Sequence, residues 1–135
     1  MVGVRTPQQL AGDEAERAVA DRLVAIGWRI LASHVRVGRG ELDLVALDPG
    51  PPPMLVVVEV RWRRSRSFGL PEETFGARKR DHLRRAVARL IAAGVLPDGS
   101  RLPSLPIRVD LVALEPPLRA GYPPRFRHHR SALED

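Results

Sequence analysis

Apolar residues recur along this chain with a helical period in two segments, and the pattern predicts two helices. Residues 11–26 carry an apolar stripe with steps of four and three residues, and Gly27 ends it. Residues 71–93 begin with proline and acidic residues, which favour a helix start, and continue with a second apolar stripe. Gly94 ends this second helix.

Short apolar runs bounded by turn residues predict the strands of one sheet. The run from Met54 to Trp62 is apolar on both faces at Leu55 to Val58, which predicts a central strand. Residues 125–130 fit either an edge strand or a basic tail. The predicted strands are 28–37, 41–47, 54–62 and 107–114.

The order of these elements predicts an α/β fold in which helices flank one central mixed sheet, in two or three layers. The order is α-β-β-β-α-β, with a final edge strand as an addition. The length of 135 residues suits a single domain over residues 1–135. We expect the ordered core to span about 11–114 and residues 115–135 to form a Pro-rich, basic C-terminal segment.

Composition narrows the function classes. The chain has no cysteine, which excludes disulfides and cysteine-based zinc sites. No signal peptide or membrane span is evident, so the expected location is the cytoplasm and no membrane partner is expected. The chain has no Gly-rich phosphate loop, which argues against a nucleotide cofactor. A homodimer is compatible with the sequence.

The positive charge is concentrated in one region. The net charge is +6, and residues 61–89 hold ten basic and three acidic residues. Such a concentration is typical of proteins that bind the phosphate backbone of nucleic acids, although a solvated helix face explains the charge equally well. The residues predicted to contact nucleic acid lie in loop 63–66 and on the second helix: Arg63, Arg64, Arg66, Arg78 and Arg85.

Two acidic residues occur in segments that otherwise have the character of buried strands. Asp43 lies in the second predicted strand, and Glu59 lies near the end of the third. A buried carboxylate is costly unless it is paired, and a divalent metal is a common functional partner. Strand geometry places Glu59 and Arg61 on the same side of their strand. Helical phase places Glu16 on or near the inward face of the first helix.

These residues suit metal-dependent phosphodiester hydrolysis. Asp43, Glu59 and Glu16 are candidate ligands for Mg²⁺ or Mn²⁺, directly or through water. Arg61 is a candidate for neutralising phosphate charge, but a guanidinium cannot act as a general base. Lys79, the one lysine among 22 basic residues, falls on the inward face of the second helix and is a candidate to deliver an amine. His34 and His82 lack ligand spacing, and the His128-His129 pair fits a tail or edge strand.

The motifs resemble those of the YraN-like bacterial family. Gly40 to Val45 is similar to that family's G-E-[IL]-D-L-[IV] strand, and Val57 to Arg61 is similar to its F-V-E-V-K strand. In the second motif, Val57 replaces phenylalanine and Arg61 replaces lysine. Gly12 with Glu16, Phe68-Gly69, Lys79, residues 108–112 and His129 with Ala132 also fit, so the resemblance covers about residues 12–132.

The resemblance implies a restriction-endonuclease-like fold of the PD-(D/E)XK superfamily, with relatives among Holliday junction resolvases. It implies a site at Glu16, Asp43, Glu59 and position 61, and a DNA partner that includes branched DNA. The expected function is a metal-dependent DNA endonuclease. One alternative is a catalytically silent DNA-binding module that kept the fold, because Arg61 replaces lysine. Another is an interaction scaffold whose buried acids are paired with arginines.

Overall fold

The polypeptide follows the predicted alternation of helices and strands. It is represented by a computed structural model that describes residues 3–134. In chain order the elements are α1 (Pro7–Ala25), β1 (Arg29–Val37), β2 (Gly40–Asp48), β3 (Met54–Trp62), a short 3-10 helix (Pro71–Thr74), α2 (Ala77–Ala93), β4 (Ile107–Glu115) and β5 (Arg125–His129).

The strands form one mixed sheet with the order β1-β2-β3-β4-β5. Neighbouring strands are antiparallel except for β3 and β4, which are parallel. Parallel neighbours need a long crossover connection, and the segment that contains α2 supplies it. The α/β class with a central mixed sheet flanked by helices is therefore confirmed, and the arrangement agrees with a nuclease-like fold.

The core lies in two layers, one on each face of the sheet. On one face, Val19 and Leu23 of α1 pack in a cluster with Val56 and Val58 of β3. On the other face, residues of α2 pack in a second cluster that includes Val57. The apolar run of β3 is thus buried on both sides, as predicted for a central strand. Among the described residues, no helix is long and apolar enough to cross a bilayer.

The first helix begins earlier than residue 11. Proline occupies its first position, and the Thr6 side chain accepts a hydrogen bond from the Gln9 amide while the Gln9 side chain accepts one from the Thr6 amide. This reciprocal capping satisfies amide groups that a helix start leaves unpaired. The apolar stripe begins too late to show this start, because the first turns of α1 are exposed.

The single helix predicted over 71–93 is wrong at its first six residues. Residues 71–74 form a 3-10 helix, and α2 begins only after Gly76, whose backbone is extended. The break is stabilised on both sides: Phe75 is buried in the core, and Glu72 is bound by Arg127 of β5. The acidic residues that suggested a helix start therefore belong to a separate turn.

The C-terminal segment contributes an edge strand rather than a basic tail. β5 pairs with β4 along its whole length, whereas residues 116–124 form no helix or strand. Both of its histidines contact acidic residues: His128 Nε2 lies 2.8 Å from Asp110 of β4, and His129 Nε2 lies 2.9 Å from Glu72 of the 3-10 helix. The structured part of the chain thus extends beyond 11–114 at both ends.

Four acidic residues with lowered pKa values are held by arginines, three of them around β4 and β5. Glu115 is 2% exposed and accepts hydrogen bonds from Arg66 at 2.8 and 2.9 Å and from Arg127 at 2.6 Å. The Arg66 hydrogen bonds, followed by those of Arg127, lower the pKa of Glu115 to about 2. The other three are held in the same way, and their pKa values are also lowered: Asp48, Glu72 and Asp110.

Replacing Glu115 with glutamine should reduce the free energy of unfolding by about 1.5–3 kcal/mol at pH 7, because hydrogen bonds to a charged group are lost. Urea denaturation would measure the change. Asp21→Asn, at an exposed position, is the matched control and should change stability by less than about 0.5 kcal/mol. Equal stability of both variants would contradict a structural role for the Glu115 ion pairs.

Candidate active site

One open cleft of about 950 Å³ brings together all five residues that the sequence suggested for catalysis. They come from four different elements: α1, β2, β3 and α2. The nearby loop after β3 forms another part of the cleft lining. The five residues are Glu16, Asp43, Glu59, Arg61 and Lys79.

Asp43 lies where β2 separates from β3. The paired ladder between these strands ends at Leu44 and Val58. One residue beyond that pair, Asp43 Oδ2 accepts a hydrogen bond of 2.8 Å from the Val60 amide. The carboxylate thereby replaces a main-chain acceptor at the end of the ladder, which fixes the side chain at the mouth of the cleft.

The sheet is irregular at the same position. Leu42 and Val45 pack in the layer under α2, whereas Leu44 packs in the layer under α1. Strict alternation would place Leu42 and Leu44 on the same face, so the strand changes face around Asp43. In β1, the register puts His34 opposite Asp43, and His34 has a left-handed backbone with φ 51°.

Glu59 is the most deeply buried carboxylate of the cleft, with 2% of the residue exposed. Its Oε2 atom lies 3.1 Å from an Arg61 guanidinium nitrogen and 3.2 Å from Lys79 Nζ. The contact with Arg61 agrees with the expected placement of both residues on one side of β3. The contact with Lys79 places the amine of α2 against the same carboxylate oxygen, as its helical phase suggested.

Glu16 lines the cleft and contacts a histidine outside the cleft lining, which the sequence did not indicate as a site residue. His34 Nε2 lies 2.8 Å from Glu16 Oε2, and His34 Nδ1 lies 3.1 Å from Glu41. The sequence spacing of His34 gave no sign of a ligand role. Its position beside Glu16 goes with a left-handed backbone that spacing does not show. Asp13 also lies near: one potential ligand atom from each of Asp13, Glu16 and His34 falls within 4.8 Å of the others.

Burial raises the pKa of all three cleft carboxyl groups. For Glu59, burial and then the neighbouring Asp43 raise the pKa to about 8, although Arg61 and Lys79 oppose the change. Burial likewise raises the pKa of Asp43 and of Glu16. The three groups resist ionising together, which is the electrostatic condition that a divalent cation relieves.

The donor set fits a hard divalent cation. Asp43, Glu59 and Glu16 offer carboxylate oxygens, the ligand type that Mg²⁺ and Mn²⁺ prefer. Among the described residues, the ligand atoms that lie within 4.8 Å of one another are those of Asp13, Glu16 and His34. Glu16 Oε2 is also buried and makes no well-oriented hydrogen bond among the described residues, even though His34 lies close to it. A buried oxygen in that position is suited to accept a cation or a cation-bound water.

The basic residues predicted to bind nucleic acid divide into three groups. Arg63 and Arg64 line the cleft beside the carboxylates. Arg66 points its guanidinium to the buried Glu115, so much of its charge is already compensated. Arg78 and Arg85 are exposed on α2 but lie outside the cleft lining.

Comparison with known proteins identifies the family to which the chain belongs. A sequence profile described as the uncharacterised protein family UPF0102 matches residues 15–114, which include every carboxylate and cation described for the cleft. The chain belongs to UPF0102. This is the YraN family, so the resemblance noted in the motifs is confirmed.

Relatives from distant bacteria share most of the chain. A UPF0102 protein of Symbiobacterium thermophilum is 43% identical over 105 residues, which cover 78% of this chain and 81% of the relative. A UPF0102 protein of Trichlorobacter lovleyi is 32% identical over 126 residues, which cover 93% and 91%. One from Bifidobacterium longum subsp. infantis is 35% identical over 124 residues, which cover 92% and 91%. These names state the UPF0102 family and no activity.

In metal-free buffer, the folded state of this UPF0102 protein should become less stable as pH rises from 5 to 8. The folded protein holds the Glu59 proton up to about pH 8, whereas an ordinary glutamate releases it near 4.5. The folded state therefore binds more protons in this window, and stability falls by up to about 1.4 kcal/mol per pH unit.

Urea denaturation at several pH values with EDTA would measure this slope. Glu59→Gln should flatten it, because glutamine does not titrate. Glu115→Gln is the matched control and should keep the slope, since the pKa of Glu115 is about 2. A wild-type stability that rises between pH 5 and 8 would contradict the raised pKa.

Proposed function

We propose that this UPF0102 protein binds DNA and hydrolyses its phosphodiester bonds with Mg²⁺ or Mn²⁺. One observation carries the proposal: three carboxyl groups with raised pKa values meet in an open cleft that also contains Arg61 and Lys79. Perturbed acids that converge in a cleft with cations favour a functional site over a structural one.

The contrast with the other buried acids supports a functional site. Glu115 and Asp110 are paired with arginines, and their pKa values are lowered. An interaction scaffold with acid–arginine pairs would show this lowering at Asp43 and Glu59 as well. Instead, burial raises the pKa of Glu59 despite Arg61 and Lys79, and it raises the pKa of Asp43 despite hydrogen bonds with Glu59 and the Val60 amide.

Asp43, Glu59 and Glu16 are the residues that would hold the metal. When bound, Mg²⁺ or Mn²⁺ activates water and neutralises charge on the phosphate. The chain itself would supply positioning. The Val60 amide fixes Asp43, and the Arg61 guanidinium, beside Glu59, would contact a phosphate oxygen. Arg63 and Arg64 extend the positive charge along the cleft and would bind the DNA backbone.

Lys79 supplies the amine that Arg61 cannot provide. Its Nζ and the Arg61 guanidinium contact the same Glu59 oxygen, at 3.2 and 3.1 Å. An amine at that place can exchange a proton with a water beside the phosphate, whereas a guanidinium keeps its charge at all working pH values. The replacement of lysine at position 61 therefore leaves an amine within the site.

A catalytically silent DNA-binding module is the second candidate. The state of Arg61 favours this silent module. Its Nε atom is buried and makes no hydrogen bond among the described residues, so the guanidinium fits the site imperfectly. A lysine would not bury such a nitrogen there. In this case the cleft would bind DNA in a salt-dependent manner without metal-dependent cleavage.

Asp43→Asn and Glu59→Gln should each reduce metal-dependent DNA cleavage by at least about 100-fold, because a bound metal supplies several kcal/mol of transition-state stabilisation. The assay would use labelled branched, single-stranded and duplex DNA with Mg²⁺ or Mn²⁺, and circular dichroism would check folding. Asp21→Asn, exposed and outside the cleft lining, should cleave like the wild type. Unchanged cleavage in both site variants would refute the site, and wild-type binding without cleavage would favour the silent module.

Lys79→Ala should reduce cleavage by about 100-fold or more if its amine takes part in proton transfer. The double variant Arg61→Lys with Lys79→Ala should regain most of that activity, because an amine then returns to β3 beside Glu59. Gel-based rate measurements at one metal concentration would compare the variants. Full activity of Lys79→Ala together with an inactive Arg61→Ala would show that the guanidinium, not the amine, serves the reaction.

A further inference from the structure

Phe68 lies almost entirely in solvent, with 88% of the residue exposed. The other two phenylalanines are used by the fold: Phe75 is buried in one core cluster, and Phe126 packs against the other. Phe68 nevertheless lines the same cleft as Asp43 and Glu59. Exposure of an aromatic ring to water is unfavourable, so a partner in the cleft would gain free energy by covering this ring.

The loop that carries Phe68 is held in place. The Arg63 guanidinium donates a hydrogen bond to the Phe68 carbonyl oxygen, and the Gly69 amide donates one of 3.0 Å to the Arg66 carbonyl oxygen. Arg66 is in turn fixed to the buried Glu115. Gly69 has φ 103°, a backbone conformation that other residues rarely adopt, so the turn favours glycine. The ring is therefore presented by a turn with a defined backbone.

The surroundings of Phe68 favour a nucleic acid over a protein partner. Its sequence neighbours Arg64, Ser65, Arg66 and Ser67 are all polar and exposed. The hot spots of protein interfaces usually combine several apolar side chains at their centre. Phe68 instead lies in a polar, exposed stretch of the loop, and Arg61, Arg63, Arg64 and Lys79 line the same cleft. An aromatic ring within a positively charged groove is the arrangement that stacks on bases of single-stranded nucleic acid.

We infer that Phe68 is the stacking subsite for one unpaired nucleobase of the DNA whose backbone enters the cleft. The inference rests on the proposed DNA binding and names the class of substrate. Inside a duplex, both faces of a base are covered by its neighbours, so the ring can stack only on a base that has lost pairing or stacking. The favoured DNA therefore has an unpaired nucleotide next to the bond at the carboxylates.

The test measures binding without cleavage, in EDTA, for the full-length protein. The probes are a duplex with one unpaired 2-aminopurine and the same duplex fully paired. Phe68→Ala should weaken binding to the unpaired probe by roughly 5- to 150-fold, as loss of one base–aromatic stack does. The affinity of Phe68→Ala for the fully paired probe should change by less than twofold. With the unpaired probe, the variant should no longer quench 2-aminopurine fluorescence.

Two variants serve as controls. Phe68→Trp keeps an aromatic surface and should retain the affinity and quenching of the wild type. Tyr122→Ala removes another exposed aromatic residue that lies near an arginine, Arg119, outside the cleft lining. It should bind both probes like the wild type.

The inference is overturned if Phe68→Ala weakens both probes equally or neither. It is also overturned if the variant changes only the sedimentation of the protein from dimer to monomer, which would make Phe68 a contact between copies. The outcome is separable from that of the cleavage assay. Phe68-dependent binding without cleavage would refute only the nuclease, whereas metal-dependent cleavage without any Phe68 effect would refute only the stacking subsite.

Discussion

Burial of Glu59 in the central strand is the constraint on which the cleft depends. A carboxyl group that is 2% exposed loses most of its hydration, and its pKa rises to about 8 as a result. Arg61 and Lys79 offset part of this cost from β3 and α2. Asp43 adds to it, because a second carboxyl group lies beside the first. The arrangement persists because the sheet and both helices hold these groups in place.

The buried acidic residues fall into two groups whose pKa values are shifted in opposite directions. Those at the β4–β5 side of the sheet are matched with arginines, and their pKa values fall. Those in the cleft are left partly uncompensated, and their pKa values rise. The first group stabilises the junction of β4, β5 and the short 3-10 helix. The second group leaves the cleft with carboxyl groups whose ionisation is unfavourable.

Much of this organisation could be predicted from periodicity. The bounds of β3 and the inward positions of Glu16 and Lys79 follow from local repeats, since they depend on residues within one or two turns. His34 could not be predicted in the same way, because its place beside Glu16 requires a left-handed backbone within a strand. The break between the 3-10 helix and α2 at Phe75 could not be predicted either. It is accompanied by a hydrogen bond from Arg127 of β5 to Glu72, which is distant in sequence.

The pairing of Arg66 with Glu115 had no local signal either, since the two residues are 49 positions apart. This pair has a consequence for the energetics of the loop beside the cleft. The loop is ordered by contacts within the protein, so its conformational entropy is lost during folding rather than at the moment of association. If a partner entered the cleft, the loop would already be held by these contacts, so less ordering of the loop would oppose binding.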